Sequence, residues 1–446
     1  MAVDLRAQIY RLKHLLPESR KSEFWDQKVA FSFAEVEDNP AAVERSAETF
    51  LRAPGTHVRG YRSTVDGQVQ HYWIHVPEKA LRSENFLPLV IALPYTTGSN
   101  LAFLESYFLA AFDETERYRA LGDEYGFAVL QVWGRGNYYG GTAIGTTDVL
   151  EALDAVRRDY PIDADRIYLM GYCEAGRIAP CWLSVIRDRF AALSVEAPIT
   201  ALHGRPPITD RWMRYSSPIT EVENLRNTPV FISHDEADAP PIQESVSFTS
   251  RAKEAGVDVS LVRVHGGYHG FYQNPMAEKR SLFEFFRGKQ RISTAGAVVG
   301  KNADQRFGVS KGPIEAAFGA PILIVEGTLG TPAQREVVHG VVEELRTWRN
   351  AYFVADCRVK RDTDVSSADI QKYNLIVVGD RHTNSLVARM GEHLPVLAAV
   401  DRLSLAGKTY QGDHLGYAFV HPNPLNARRY VVVIGMNQWE AAKGGS

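Results

Sequence analysis

The stretch Arg166-Ile-Tyr-Leu-Met-Gly-Tyr-Cys-Glu-Ala-Gly-Arg-Ile-Ala179 restricts the possible folds of this chain more than any other. Arg166 to Met170 has the pattern of a short apolar strand, Gly171 to Gly176 that of a tight turn, and the residues beyond it that of a helix. A strand feeding a helix through so short a turn forces the residue between Tyr172 and Glu174 into a strained backbone. Its side chain is thereby lifted above the edge of the sheet. In a G-x-S-x-G turn that residue is a nucleophilic serine. Here it is Cys173, with Ala175 in place of the second glycine and Gly176 one position later. A helix N-terminus favours a thiolate. By itself the stretch fits a small buried cysteine after a core strand equally well, so the rest of the chain has to supply a base and an acid.

Around this stretch the chain alternates strands and helices. His57 to Ser63 and Gln68 to Val76 alternate about Val65-Asp-Gly-Gln68, the pattern of a β-hairpin. Leu87 to Leu93 is a continuous apolar run, as in a strand buried on both faces, and Phe127 to Trp133 is another. Asp148 to Tyr160 reads as an amphipathic helix, Phe190 to Pro198 and Thr228 to Ser233 as strands, and Glu244 to Ala255 as a helix. Val257 to Val264 is the last strand of this unit, and Ser281 to Phe286 begins a closing helix. The alternation predicts an α/β fold with a mostly parallel sheet flanked by helices.

With 446 residues, two domains are expected. Residues 1–56 read as a helical N-terminal segment, 57–287 as the main α/β domain, and 288–312 as a linker without periodicity. Residues 313–446 form a smaller α/β domain. In that domain Pro321 to Val325, Tyr352 to Ala355, Asn374 to Val378 and Tyr430 to Ile434 are strand candidates, and Ala333 to Trp348 is the clearest helix. Gly327-Thr-Leu-Gly-Thr331 follows the first of these strands but lacks the lysine and the glycine spacing of a phosphate loop.

An elbow nucleophile needs a base to take its proton and an acid to orient that base. Ile232-Ser-His-Asp-Glu-Ala-Asp238 ends one strand and offers Asp238, with Asp235 and Glu236 as competitors. Val264-His-Gly-Gly-Tyr-His-Gly270 ends the next strand and offers His269 on a glycine-flanked loop. Cys173, Asp238 and His269 therefore follow one another in the order nucleophile, acid, histidine, each just past a strand. His234 and His265 lie on or beside strands and are expected to pack or hydrogen-bond. Cys181 is expected in the core of the helix after the turn, where Pro180 removes a backbone hydrogen bond.

Asp148 to Pro198, with its Asp163-x-Asp-Arg-Ile-Tyr-Leu-Met-Gly-Tyr172 run, resembles the α/β-hydrolase fold, in particular its prolyl-oligopeptidase-like and dienelactone-hydrolase-like branches. The resemblance covers residues 57–287. It implies acyl chemistry. Dienelactone hydrolases use a Cys-His-Asp set, whereas peptidase relatives carry serine, so the cysteine points away from peptidase activity. The tail, with Gly312-Pro-Ile-Glu-Ala-Ala-Phe318 and Asn423-Pro-Leu-x-x-x-Arg-Tyr-Val-Val432, is similar to the C-terminal module of uncharacterised bacterial peptidase-like proteins.

An oxyanion hole needs two donors. One is expected from the backbone N–H of Glu174, after the nucleophile. The other is expected from the loop after the Leu87 strand, where Pro94 has no N–H and shifts the donor to Tyr95 or Thr96. Prolyl oligopeptidases use a tyrosine hydroxyl in this role, which the resemblance extends to Tyr95, although a Tyr95 that only lines the pocket fits the sequence equally well. Tyr172, Arg135 and Tyr138, the last two in the glycine-rich stretch 134–141, are candidate substrate-binding residues. So is Trp212, in the insertion 199–227.

The remaining composition bounds partners. A net charge of −3 with 23% charged residues gives no reason to expect nucleic acid or an anionic membrane. No apolar run approaches the roughly 20 residues of a membrane span. The 3 cysteines are too few and scattered for a disulfide framework or a zinc site, and no cofactor signature is present. The polar N-terminus lacks the apolar core of a signal peptide, so a reducing cytoplasm is the expected location.

The leading expectation is a hydrolase of an ester, lactone or thioester acting through a thioester on Cys173. Its substrate would be a small acyl compound, free or carrier-bound. An acyltransferase or cyclase that passes the acyl group to an amine, alcohol or thiol is the first alternative. A non-catalytic binding protein that keeps the fold is the second, with Ala175 and Pro94 as its marks. Oligomeric state, a homo-oligomer included, is left open, as is whether Cys173 replaces a serine.

Overall fold

The structure is a computed structural model that describes residues 54–67, 69–81, 86–93, 118–132, 143–186, 189–200, 217–220, 222–266, 276–292, 314–353, 357–413 and 415–439. The chain divides into two compact units. One comprises residues 1–63, 69–141 and 148–297, the other residues 64–68, 142–147 and 298–446.

The sheet of the first unit is built from β1 (Gly55–Arg62), β2 (Val69–Val76), β3 (Leu87–Leu93), β4 (Ala128–Val132), β5 (Ile162–Tyr172), β6 (Ala192–Glu196), β7 (Val230–Asp235) and β8 (Val259–Val264). Their order across the sheet is β1-β2-β4-β3-β5-β6-β7-β8. The β1–β2 hairpin is antiparallel and joins β4 antiparallel, while β4, β3, β5, β6, β7 and β8 run parallel. Parallel strands need crossovers. Among the described residues these are supplied by α1 (Ala143–Asp159), α2 (Glu174–Ile186) and α3 (Gln243–Glu254), with α4 (Met276–Arg287) following β8.

Side chains alternate across each strand, so the sheet has two apolar faces. All seven residues of β3 are buried. Leu87, Leu89, Ile91 and Leu93 join a cluster with Val149, Val156, Ile178 and Leu183 of α1 and α2. Val90 and Ala92 face the other side with Phe127, Tyr168, Phe283 and Phe286. On that side the rings of Phe127, Tyr168 and Phe286 stack in sequence, with centroids 5.7 and 4.7 Å apart, and seat α4 on the sheet.

In the second unit, β9 (Ile322–Glu326), β10 (Val359–Arg361), β11 (Asn374–Val378), β15 (Gly416–Asn423) and β16 (Asn426–Met436) form a sheet ordered β10-β9-β11-β16-β15. Only β15 is antiparallel to its neighbour. Helices α5 (Pro332–Phe353), α6 (Ser367–Lys372) and α7 (Ser385–Met390) connect the strands. A separate antiparallel sheet holds β12 (Val396–Ala399), β13 (Arg402–Leu405) and β14 (Lys408–Gln411).

Two expectations need correction here. Tyr352 and Phe353, expected to begin a strand, lie in α5, Val354 and Ala355 lie outside the described residues, and the next described strand is β10, from Val359. Cys181 is half-buried, and its thiol donates to the carbonyl of Arg177 at 3.5 Å. The turn after β9 also gives no phosphate cradle. The N–H groups of Gly327, Thr328, Leu329 and Thr331 donate to Val378 O, Asp362 Oδ1, Thr383 O and Gln334 Oε1 at 2.9–3.2 Å. The carboxylate of Asp362 occupies the place where an anion would need donors.

Candidate active site

The turn after β5 has the geometry its sequence demands. Cys173 sits between the last strand residue, Tyr172, and the first helical residue, Glu174, with φ +54°. Its N–H donates to the carbonyl of Glu196 on β6 at 2.9 Å, and its own carbonyl accepts from Arg177 N at 3.1 Å. These bonds, one to the neighbouring strand and one into α2, hold the residue in a left-handed conformation that a β-carbon disfavours by about 1–3 kcal/mol. The N–H groups of the first turn of α2, Glu174 included, have no partner within the helix itself.

The elbow absorbs its departure from the usual glycine spacing. A β-carbon on Gly171 would lie 2.4 Å from the carbonyl oxygen of Ala175, and one on Gly176 would lie 3.1 and 3.2 Å from the carbonyl oxygens of Gly171 and Glu196. Crowding therefore falls on positions 171 and 176. Position 175 carries a methyl group that packs in the core at 1% exposure.

Strain is not confined to the elbow. Ala197, directly after β6, has φ +45°, and its N–H donates to Ser233 O on β7 at 2.8 Å. Since Tyr172 pairs with Glu196, the two strained residues follow paired residues on adjacent strands. Both belong to the apolar cluster on the α4 side of the sheet. Two costly conformations side by side at the carboxyl edge of a parallel sheet mark the edge where such folds bind ligands.

The carboxyl ends of the next strands bring the acids. Asp235 closes β7, and its Oδ1 accepts from Ala237 N at 2.8 Å, which spends it on the turn. Glu236 points outward and pairs with Arg263 at 3.1 Å and His265 at 3.7 Å. Asp238 differs from both competitors: its side chain is fully buried, with Oδ2 3.6 Å from Nε2 of His234. His234 is itself buried and holds the loop from two sides, with Nε2 2.9 Å from Pro240 O and Nδ1 2.7 Å from Ser245 Oγ. A carbonyl can only accept, so Nε2 carries the proton, and in the neutral ring Nδ1 accepts from Ser245. The imidazole thus ties the strand end, the Asp238 loop and α3 together.

Tyr172 is buried beside Cys173 among Met170 and Phe231. His265 is exposed and turned to Glu236. His269, Tyr95, Thr96, Arg135, Tyr138 and Trp212 lie outside the described residues, and of Glu174 the backbone alone is described. The sequence reading passed over two features. Glu196, at the end of an apolar strand, is buried, and its Oε1 accepts from Tyr118 Oη at 2.7 Å. Thr200 donates through its backbone N–H at 3.0 Å and its hydroxyl at 2.9 Å to Glu244 Oε2, which ties the chain after β6 to the first turn of α3. A lone acid closing an apolar strand was the available signal for Glu196. The role of His234 had none, because its partners Pro240 and Ser245 are ordinary in the sequence.

Residues 122–291 match the prolyl oligopeptidase family model. The matched segment runs from the helical residues before β4 through the elbow to the end of α4. The strand order, the elbow after β5 and this match agree. The first unit has the α/β-hydrolase fold. Among solved structures, the fluorophosphonate-binding serine hydrolase FphF of Staphylococcus aureus is similar at 14% identity, with 52% of this chain and 99% of that chain covered and a TM-score of 0.43. An S-formylglutathione hydrolase from Agrobacterium tumefaciens is similar at 18% identity over 52% of this chain and 94% of that one, with a TM-score of 0.41. A third is a Bacteroides ovatus protein assigned as a dipeptidyl aminopeptidase IV, at 13% identity over 53% of this chain and 36% of that one, with a TM-score of 0.41. Likenesses this distant carry no argument about what the hydrolase-fold unit does. Among curated proteins, none matches this sequence.

Proposed function

We propose that the α/β-hydrolase unit is an acyl hydrolase that forms a thioester on Cys173 and releases it to water. The observation that carries this reading is the cysteine at φ +54° on an intact elbow, at the head of α2. Such a turn between strand and helix is the one that presents a nucleophile in this fold. In the proposed reaction His269 takes the Cys173 proton as sulfur attacks the acyl carbon, and the charge on the carbonyl oxygen meets the N–H of Glu174 and a donor from the Tyr95–Thr96 loop. Collapse of this intermediate breaks the bond to the alcohol or thiol, which leaves with the proton from His269. Water, deprotonated by the same histidine, then breaks the thioester, and Asp238 orients the ring throughout. The substrate is a small ester, lactone or thioester, with the acyl group free or carrier-bound, met in a reducing compartment that keeps the thiol free.

Intact-protein mass after brief exposure to activated esters and thioesters tests the proposal. An adduct that turns over in the native chain, persists in His269→Ala and is absent in Cys173→Ala is the expected result. Full turnover by Cys173→Ala overturns it. Product analysis with added amines and thiols separates hydrolysis from acyl transfer, and a folded chain whose Cys173 reacts with no donor favours a binding protein or a substrate outside the panel.

A further inference from the structure

At the carboxyl edge of the second unit's sheet lies a cavity of about 170 Å³, between the loop after β11, helix α7 and strand β15. Its floor is set by a close approach of two strands. Tyr417 on β15 stands opposite Gly435 on β16. A β-carbon at Gly435 would lie 2.3 Å from both Cζ and Oη of Tyr417, so the glycine is what lets the ring lie across β16. Beyond β16 is β11, whose following residue Gly379 donates its N–H to Ile434 O at 2.9 Å. The phenol is thereby directed toward Asp380 and Arg381. Burial pushes its pKa up, the charge of Asp380 adds to the rise and Arg381 opposes it, so the group stays a hydroxyl. Tyr417 is 7% exposed, and its hydroxyl makes no hydrogen bond among the described residues. Tyr417 lines the cavity, so a guest there can reach this hydroxyl.

The second polar group at this end is Asp380, also buried. Its Oδ1 is taken by three donors, His382 N, Thr383 N and Thr383 Oγ1, at 2.8, 3.0 and 3.1 Å. Its Oδ2 accepts from Trp439 Nε1 alone at 3.2 Å, which leaves this oxygen acceptor capacity. The carboxylate is therefore fixed in place and still able to receive a hydrogen bond. Val387, Leu394 and Val396 form an apolar wall, and Ala388 and Glu392 stand at the exposed rim. A space of this size matches one small ring or a branched chain of a few carbons.

We propose that this cavity binds a small primary amine carrying a short apolar body, its ammonium shared between Asp380 Oδ2 and Tyr417 Oη. An ammonium brings three donors and no acceptor, which suits two oxygens that can each accept a hydrogen bond. The fixed, buried charge of the pocket is negative, while the cation Arg381 is exposed, so an anion would have to sit against Asp380 to reach the floor. The site lies within the second unit, and nothing in it depends on the chemistry of Cys173.

Calorimetric titration of the full chain with isoamylamine, leucine and isovalerate tests this. The amine is expected to bind saturably and isovalerate not to bind. Leucine binding as well as the amine means that Arg381 takes its carboxylate, and this also supports the site. Tyr417→Phe should weaken the amine about tenfold, which is about 1.4 kcal/mol. Ala388→Trp, on the exposed side of α7, should fill the mouth and abolish binding with the unfolding midpoint unchanged. Isovalerate binding as tightly as the amine, amine binding that survives Ala388→Trp, or no saturable binding by any of the three at millimolar concentration would each overturn the proposal.

Discussion

At the scale of single residues, the elbow depends on one missing methyl group more than on which side chain stands at position 173. Gly171→Ala sets a β-carbon 2.4 Å from a backbone oxygen that cannot move without unwinding the first turn of α2. It should cost about 1–3 kcal/mol by denaturant titration and remove acyl-adduct formation at Cys173. Ala175→Gly restores the usual motif but puts glycine in a helix. It should lose about 1 kcal/mol of stability while leaving the adduct rate intact. In the proposed reaction His234 acts one step away from the chemistry. His234→Ala frees the Asp238 loop and should slow thioester turnover by about tenfold to a hundredfold. His234→Gln, which keeps a donor for Pro240 O, should recover part of that loss in the same single-turnover measurement.

At the scale of elements, helices are held by contacts that can be tested one at a time. Phe283 on α4 is fully buried and lies 5.6 Å from Phe127 and 6.3 Å from Tyr118, ring to ring. Phe283→Ala should cost about 3–5 kcal/mol, read by denaturant titration, with the space left only partly refilled. Helix α6 begins with a capping box, in which Ser366 Oγ accepts from Asp369 N and Asp369 accepts from the Ser366 N–H. Burial alone would raise the Asp369 pKa. Lys360 at 2.8 Å and the two donors of Ser366 outweigh it and hold the carboxyl at about 2, below its ordinary 3.8. A carboxyl depressed on folding adds stability above its unfolded pKa and loses it as pH falls through the folded one. Asp369→Asn should therefore cost on the order of 2 kcal/mol at neutral pH and nearly nothing at pH 2, by urea titration at the two pH values.

At the scale of the whole molecule, the second unit is assembled from three chain segments. Val65, fully buried, belongs to it, and its carbonyl accepts from Ile322 N at 2.9 Å and Arg358 Nη1 at 3.0 Å. A fragment of residues 298–446 carries one of those three segments. It should unfold well below the intact chain in a thermal melt, leaving Ile322 N without its acceptor.

The division between what could be read early and what could not follows the range of the forces involved. Leu87–Leu93, Asn374–Val378 and the strand–turn–helix around Cys173 were legible because hydrophobic periodicity and the steric demands of glycine act over a few residues. The same local signals ordered Cys173, Asp238 and the His269 loop along the chain. They could not separate Asp238 from Asp235 and Glu236. The fold gives the three different surroundings, with Asp235 bonded to its own turn, Glu236 paired with Arg263 at the surface, and His234 lying beside Asp238. Nor did they separate α5 from a strand at Tyr352, where an aromatic pair suits either state until its surroundings choose. Ala197 at positive φ and Tyr417 lying across Gly435 have no local signature at all, since each depends on neighbouring strands remote in the chain.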